Sequence, residues 1–518
     1  QSSLSTFDMA ATSSLTCSGC AISLGINGTV MMSGDVSGGT LSVVVGESVD
    51  VLGASALVLT GSSVRIESER ANVSIAGHVE SKGVAGLVIL KACRNVTLFG
   101  SANIACTTTL ACEVQFIAGY NMSMEGSAKI QALGYLGEVN GTVHDALSMS
   151  GTSMMTAAGV TVSTSSMNMS SDAKLDVDAK GFNSHTGPGT PAAWVDYCSS
   201  SAHYDRSASG GGAAHGGDGG RSNHKFNCAR SYPQGGTSYG SATWPVLFGS
   251  GGGQAYYYRS GEGKGGRGGG RIHVTTSGAL VMNGVMTANG QNGEFYDGYS
   301  GTDVTGGGGS GGSVLIEADT LTGLGMIRAN GGGTSNNLRG GAGGGGRIAV
   351  HLQQNVTDTG SGNIPTLTTS VQAFGSPGSH PTAGGGAAGT IYQRHGVWSL
   401  LRISNNNNAA GASTWTPLPL ELTDKSAARS YGGSVVWTKI DGRSRLEMRG
   451  AVGSGRAFRG GAPGALAIFV RIRVPFFFAL FFRCLFGSIL VRFWVRKSTQ
   501  NRTKIDPKRM PRGMPKTK

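Results

Sequence analysis

SVRIESERANVSIAGHVESKG (63–83) and EVQFIAGYNMSMEGSAKIQALG (113–134) decide how this chain is read. Each holds short strings in which apolar and polar residues alternate, the period-two pattern of a half-buried strand. A small residue separates the strings and an Ala/Ser-x-Gly triplet closes the segment. DALSMSGTSMMTAAG (145–159), VTVSTSSMNMSSDAKLDVDAKG (160–181), GRIHVTTSGALVMNGVMTANG (270–290) and SVLIEADTLTGLGMIRANG (313–331) follow the same scheme. The small residue of the closing triplet falls at Ser81, Ala105, Ala132, Ala157 and Ala179, in steps of 24, 27, 25 and 22 residues. These are solenoid periods, and strands this short bury a face only by stacking coil on coil.

The fold expected is therefore all-β: a parallel, right-handed β-helix or solenoid of roughly ten coils with glycine-rich loop insertions. Alternation places Val64, Ile66, Val73, Ile75 and Val79 inward and Arg65, Ser74 and His78 outward. An array of antiparallel β-sandwiches is the alternative, because periodicity does not set strand direction. A leucine-rich repeat is set aside for want of a Leu-x-x-Leu-x-Leu frame and an Asn ladder.

Glycine supplies 88 of 518 residues, against about 7% in ordinary proteins. No Gly-X-Y period runs through the chain and Pro totals only 14, which excludes collagen. Recurrent Val/Ile/Leu/Met strings argue against full disorder. The boundaries expected are a truncated N-terminal segment (1–40), coils (41–181), a Gly/Ser/His/Tyr-rich insertion (182–269), coils with further glycine insertions (270–450), a linker (451–473), a candidate transmembrane segment (474–491) and a basic tail (492–518). Each glycine run ends just before a strand, so an ordered hairpin packed backbone to backbone is expected, with corner glycines supplying positive φ.

The net charge of +13 is not spread along the chain: between Gly442 and Lys518 eighteen Lys/Arg face only Glu447 and Asp506, a net +16, leaving −3 for the first 441 residues. A groove that tracks phosphates needs cations on the folded body, so no nucleic-acid partner is expected. VPFFFALFFRCLFGSILV (474–491), followed by ten Lys/Arg, reads either as a type I membrane anchor with Arg483 inside it or as a translation artefact.

Sequons stand at Asn27, Asn72, Asn95, Asn121, Asn140, Asn168 and Asn355, candidate glycosylation sites of a lumenal or extracellular surface. Spacing offers the disulfides Cys17–Cys20, Cys106–Cys112 and Cys198–Cys228 and leaves Cys93 and Cys484 unassigned. Among carboxylates, Asp176 and Asp178 share a strand face near Asp172, with Lys174 and Lys180 beside them. Solvated charge on an exposed face is the favoured reading of that group. His203, Asp205, His215, Asp218 and His224 fit no compact ligand frame, and neither metal nor cofactor is implied. Trp244, Tyr256, Tyr257 and Tyr258, with Tyr239, are aromatics among glycines. They pack the insertion onto the coils or, if a carbohydrate site exists, stack on sugar rings.

HGGDGG, TSYGSATWPVLFGSGGG, GGGRIHV, MTANG, GGGGSGGSVLIEADTLTGLGMIRANGGG and GGGGRIAV, in this order, resemble the large glycine-rich, β-helix-like surface or wall-associated proteins of plants, oomycetes and other protists. The resemblance spans residues 60–395 and implies a non-enzymatic extracellular part of a larger chain, with no catalytic residues to transfer. The function expected is thus an extracellular structural or adhesive surface protein. A glycan-binding surface protein is the first alternative and a pectin-lyase-like, polysaccharide-active enzyme the second. Extracellular glycans or wall and matrix polymers are the expected partners.

Overall fold

The computed structural model describes residues 6–405, apart from 11–12, 54, 61–62, 111, 193–207, 224–232, 256–262, 297–303, 335–338, 354–366, 380–382 and 396–397, together with Asn408 and short strands between 416 and 448. All belong to the first of two compact units, Gln1–Ala457; the second, Phe458–Lys518, lies outside the described residues. The expected linker (451–473), transmembrane segment and basic tail lie outside them too.

The described chain is all-β, without helix, and its strands stack in three parallel ladders. The first includes Ser63–Ser68, Gly86–Ala92, Cys112–Ala118, Glu138–Val143, Gly159–Thr164, Arg271–Thr276, Ser313–Ala318, Arg347–Leu352 and Thr390–His395. The second runs from Thr6–Met9 to Thr320–Thr322, and the third from Ala56–Leu59 to Ser370–Gln372. The chain visits the first, second and third ladder in turn and then begins the next round. This pairing overturns the antiparallel-sandwich alternative. Among the described residues antiparallel pairing is confined to Phe295–Tyr296 with Val304–Thr305 and to Thr390–His395 with Trp398–Ser404, where the first ladder's parallel run ends.

Register explains the sequence alternation. In the first ladder Ile66, Leu90, Phe116, Gly141 and Val162 form one inward column. In the second, Val49, Val73, Val96, Met122 and Leu147 form another. Val64, Ile66, Val73, Ile75 and Val79 are fully buried, whereas Arg65, Ser74 and His78 face outward. Each such aliphatic chain contributes about 1.5–3 kcal/mol by leaving water. The closing column needs two corrections: Ser81 pairs with Cys106, not Ala105, and Cys106 with Ala132. Continued by one residue, the register puts Ala157 against Val177, not Ala179, which lies beyond the strand in the following turn with a φ of 54°.

The corner between the first and second ladders holds an Asn ladder, which corrects the expectation that the chain has none; the leucine-rich repeat stays excluded because the described residues contain no helix. Asn72 Oδ1 accepts from the Asn95 backbone N–H (3.1 Å) and from Asn95 Nδ2 (3.1 Å). Asn95 Oδ1 accepts from the Asn121 N–H (3.1 Å) and Asn121 Oδ1 from the Ala146 N–H (3.2 Å). Such a corner writes sequons by itself: the Asn is followed by an inward apolar residue (Val73, Val96, Met122) and an outward Ser or Thr (Ser74, Thr97, Ser123). Asn95→Ala is expected to lower stability by about 1–2 kcal/mol in denaturant unfolding, because the Asn121 N–H loses its acceptor.

Gly100, Gly126 and Gly151 stack at the corner between the second and third ladders with φ of 64°, 70° and 62°, the left-handed region closed to most side chains. Most other glycines serve a different purpose. Four insertions leave the third ladder after Asp176, Thr287, Arg328 and Gln372 and return to the first at Arg271, Ser313, Arg347 and Thr390. They share one corner, so they meet.

There they form a bundle held by backbone hydrogen bonds. Gly306, Gly309 and Gly312 donate to Glu294, Gln291 and Ala288; Gly307 and Ser310 to Gly253 and Ser250; Gly308 and Gly311 to Gly341 and Gly344. Segment 341–346 repeats the scheme, with Gly341 and Gly344 donating to Gly210 and Ala213, Ala342 and Gly345 to Gly384 and Ala387, and Gly343 and Gly346 to Gly332 and Ala329. Every third residue reaches the same neighbour, the mark of a three-residue-per-turn polyproline-II helix with no internal hydrogen bonds. Glycine is required here for close approach: a Cβ on Gly307 would lie 1.8 Å from the Gly211 oxygen, and one on Gly343 2.0 Å from that of Gly309. The expected packing of backbone on backbone holds: the insertion between Thr287 and Ser313 carries a short antiparallel pair, Phe295–Tyr296 with Val304–Thr305, and the glycine segments themselves pack as threefold helices.

Candidate functional site

The outward face of the first ladder changes character along the stack. At its far end Leu315, Ala349 and Tyr392, which share one transverse row, are buried under segment 239–248. Ser313 Oγ donates to the Leu247 carbonyl (2.6 Å), Arg347 Nε to that of Tyr239 (2.8 Å) and His351 Nε2 to that of Thr243 (2.7 Å). Toward the N-terminal coils the cover stops, and half-exposed polar side chains take over.

In that uncovered stretch Gln115, Asn140, Thr161 and His273 fall in one transverse row, in direct register. Glu113, Glu138, Gly159 and Arg271 form the row beside it. Glu113 Oε1 accepts from Gln115 Nε2 and Asn140 Nδ2, each at 2.8 Å. Glu138 reaches across Gly159, whose missing Cβ leaves the room, to Arg271 at 3.0 Å. Burial holds the Glu138 carboxyl above the usual carboxylate range despite that arginine, and neighbouring Glu113 adds to the rise. The Arg271 guanidinium also lies 5.3 Å from the Phe248 ring centre. On the other side His273 Nε2 meets Glu317 Oε1 at 2.9 Å, and Thr275 Oγ1 is 3.3 Å from the same oxygen. Trp244 stands where cover and open strip meet, 46% exposed, with its ring centre 6.2 Å from that of His273 and 5.6 Å from that of His351.

This arrangement pairs a flat apolar ring with amides, hydroxyls and carboxylates that are already oriented by one another. It can grip a polar ligand that carries an apolar face. Of the aromatics singled out from sequence, Trp244 is the one among the described residues that lies here. Tyr239 is half-buried, its hydroxyl accepting from Ser250 Oγ (2.8 Å) and its ring 4.7 Å from His215, so it packs the insertion. Tyr256, Tyr257 and Tyr258 lie outside the described residues, as do Cys198, Cys228, Cys484, Asn355, His203, Asp205 and His224.

The strand Lys174–Asp176 ends before Asp178, which lies in the following turn, so the two do not share a strand face and both serve as structural groups. Asp178 accepts from Thr287 Oγ1 (2.7 Å) and Asn289 Nδ2 (3.1 Å), and Asp176 accepts from the Asp178 N–H (3.0 Å). Asp172 and Lys174 are exposed and Lys180 is half-buried. Cys17 pairs with Cys20 and Cys106 with Cys112, across Cα distances of 5.6 and 5.8 Å, while Cys93 is free and exposed. Asn27, Asn121 and Asn168 are exposed; Asn72, Asn95 and Asn140 are half-buried. Among the described residues no three His, Cys, Asp or Glu gather as a metal would require, and no helix is long and apolar enough to cross a membrane.

His215 sits at the heart of the glycine bundle. Its Nδ1–H donates to the Gly311 carbonyl (2.9 Å), and Asp218, its sequence neighbour, accepts instead from the Ser238 N–H (2.9 Å). Burial, and then the charge of Arg347, push the imidazole down to about 3. The unfolded chain therefore takes up this proton first, so the contribution of the neutral ring is complete above about pH 6.5 and is lost as pH falls toward the folded value. Stability is expected to drop by about 1.4 kcal/mol per pH unit below that point, and His215→Gln to flatten the slope in urea unfolding between about pH 6.5 and 5.

Sequence reasoning missed Glu113, Glu138, Arg271, His273 and Glu317, because nothing local announces them. Glu138 and Arg271 are 133 residues apart, and only the register across the insertion joins them. The signal that was present is parity: all five occupy outward positions of first-ladder strands. Comparison of the chain with protein-family models, curated proteins and solved structures finds no match.

Proposed function

We propose that the three ladders close into a right-handed parallel β-helix and that the protein is an extracellular structural or adhesive surface protein. The right-handed sense follows the strong preference of parallel crossovers. The observation that carries the reading is the glycine bundle, which adds to the stacked coils a second core made of backbone alone. It braces one corner of the solenoid over four successive insertions, as a part that transmits or resists force needs. The resemblance to glycine-rich surface proteins supports the same assignment. The two cysteine pairs support an oxidising compartment. Residues 474–491, read as an anchor, would hold the chain at the membrane with its basic tail inside.

The test is display. With a tag at the N-terminus of the full chain in a eukaryotic host, protease added to intact cells is expected to remove the tag and leave cytosolic markers whole. A tag protected until the cells are lysed would overturn the surface reading. A second reading, a glycan-binding surface protein, is favoured by the half-exposed Trp244 at the end of the polar strip.

A further inference from the structure

We infer that the uncovered outward strip of the first ladder binds a neutral oligosaccharide that lies along the coil stack with one ring against Trp244. The inference rests on the glycan-binding reading and gives it a site, a ligand class and a direction.

The geometry defines the ligand's shape. Gln115, Asn140, Thr161 and His273 are register neighbours on four consecutive first-ladder strands. Three strand steps of ~4.8 Å make a row about 14 Å long, perpendicular to the strands. The row is closed at one end, where Leu315 is buried under segment 239–248, and beyond Gln115 it continues over half-buried Ile89 to exposed Arg65. An extended chain with an end ring at Trp244 fits such a one-ended strip.

The chemistry defines the class. The half-exposed indole of Trp244 offers apolar surface for the C–H face of a pyranose, whose hydroxyls point outward to polar neighbours. Gln115 and Asn140 each spend one N–H on Glu113, which fixes their orientation and leaves each amide an oxygen and a second N–H to offer. The basic side chains already face carboxylates, Arg271 with Glu138 and the His273 imidazole with Glu317. Over this stretch a uronate would meet Glu113, Glu138 and Glu317, so uncharged sugars are favoured there; the surplus cation, Arg65 and Lys91 around the single Glu67, lies further along the stack, beyond Gln115.

The test is calorimetric titration of the full chain with cellohexaose, laminarihexaose and mannohexaose, and with hexagalacturonate as the charged probe. At least one neutral hexaose is expected to bind, and hexagalacturonate to bind about tenfold more weakly or worse. Trp244→Ala and Asn140→Ala are each expected to weaken the neutral ligand by about tenfold or more, with Trp244→Phe retaining part of the affinity. Asn140 is half-exposed and outside the buried columns, so its variant keeps the test decisive if Trp244→Ala loosens the covering segment. Neutral binding that both alanine variants leave unchanged would overturn this site while leaving the glycan-binding reading intact. Preference for hexagalacturonate would overturn the ligand class, and failure of all four sugars to bind would overturn both.

Discussion

Gly307→Ala is expected to destabilise the protein by more than about 3 kcal/mol, at the upper end of what an overpacked core costs, for the addition of one methyl group. The new Cβ would lie 1.8 Å from the Gly211 oxygen and 2.4 Å from its carbon. Both are backbone atoms, so no side chain can swing aside. Moving residue 307 away breaks its bond to the Gly253 carbonyl and the one it accepts from Gly266, both 2.9 Å, and its helix touches neighbours on several sides. Gly25→Ala is the control, since nothing lies within 4 Å of the position its Cβ would take. It is expected to be neutral, or stabilising by under about 1 kcal/mol through the unfolded chain. Denaturant unfolding compares the two, and protease cleavage in the glycine segments locates the damage. Equal stability of the two variants would mean that the bundle is not a packed core.

Phe116→Ala is expected to cost about 3–5 kcal/mol, because the ring is fully buried and its removal opens a cavity in the inward column. Phe116 pairs in register with Gly141, and a Cβ there would lie 1.9 Å from the ring's Cζ. The large and small residues therefore share one layer of the core. Gly141→Ala alone is expected to cost about 1–3 kcal/mol by overpacking. Combined with Phe116→Leu the loss is expected to shrink, and a double-mutant cycle on denaturant unfolding gives the coupling. Additive losses would show that the two positions do not share that volume.

Much of the fold was legible because its elements are local. The alternation through Val64, Ile66, Val73 and Ile75 requires short strands with one buried face, and repetition of the motif requires that they stack. Strand direction was not legible, since parallel and antiparallel partners demand the same alternation. The closing column was misread by one residue at Ala105 and by two at Ala179, because register is settled by which side chains stack, and triplet spelling only approximates that. The Asn corner was legible only as sequons. The same three-residue pattern satisfies the glycosylation signal and the ladder, and hydrogen-bond partners 23 and 26 residues away distinguish them.

The candidate site was the least legible part. Trp244 could be named because an aromatic among glycines stands out, whereas Glu138 and Arg271 look like ordinary outward charges on separate strands. What the sequence by itself determined is the class of the protein: all-β, repetitive and built of short stacked strands with glycine-rich insertions, since period-two strings and glycine runs act on their own neighbourhood. What only the tertiary structure decided is which glycines touch, which asparagines form a ladder and which outward side chains share a row. Each of those depends on register between segments tens to more than a hundred residues apart, set by the whole stack of parallel strands and by no single stretch of chain.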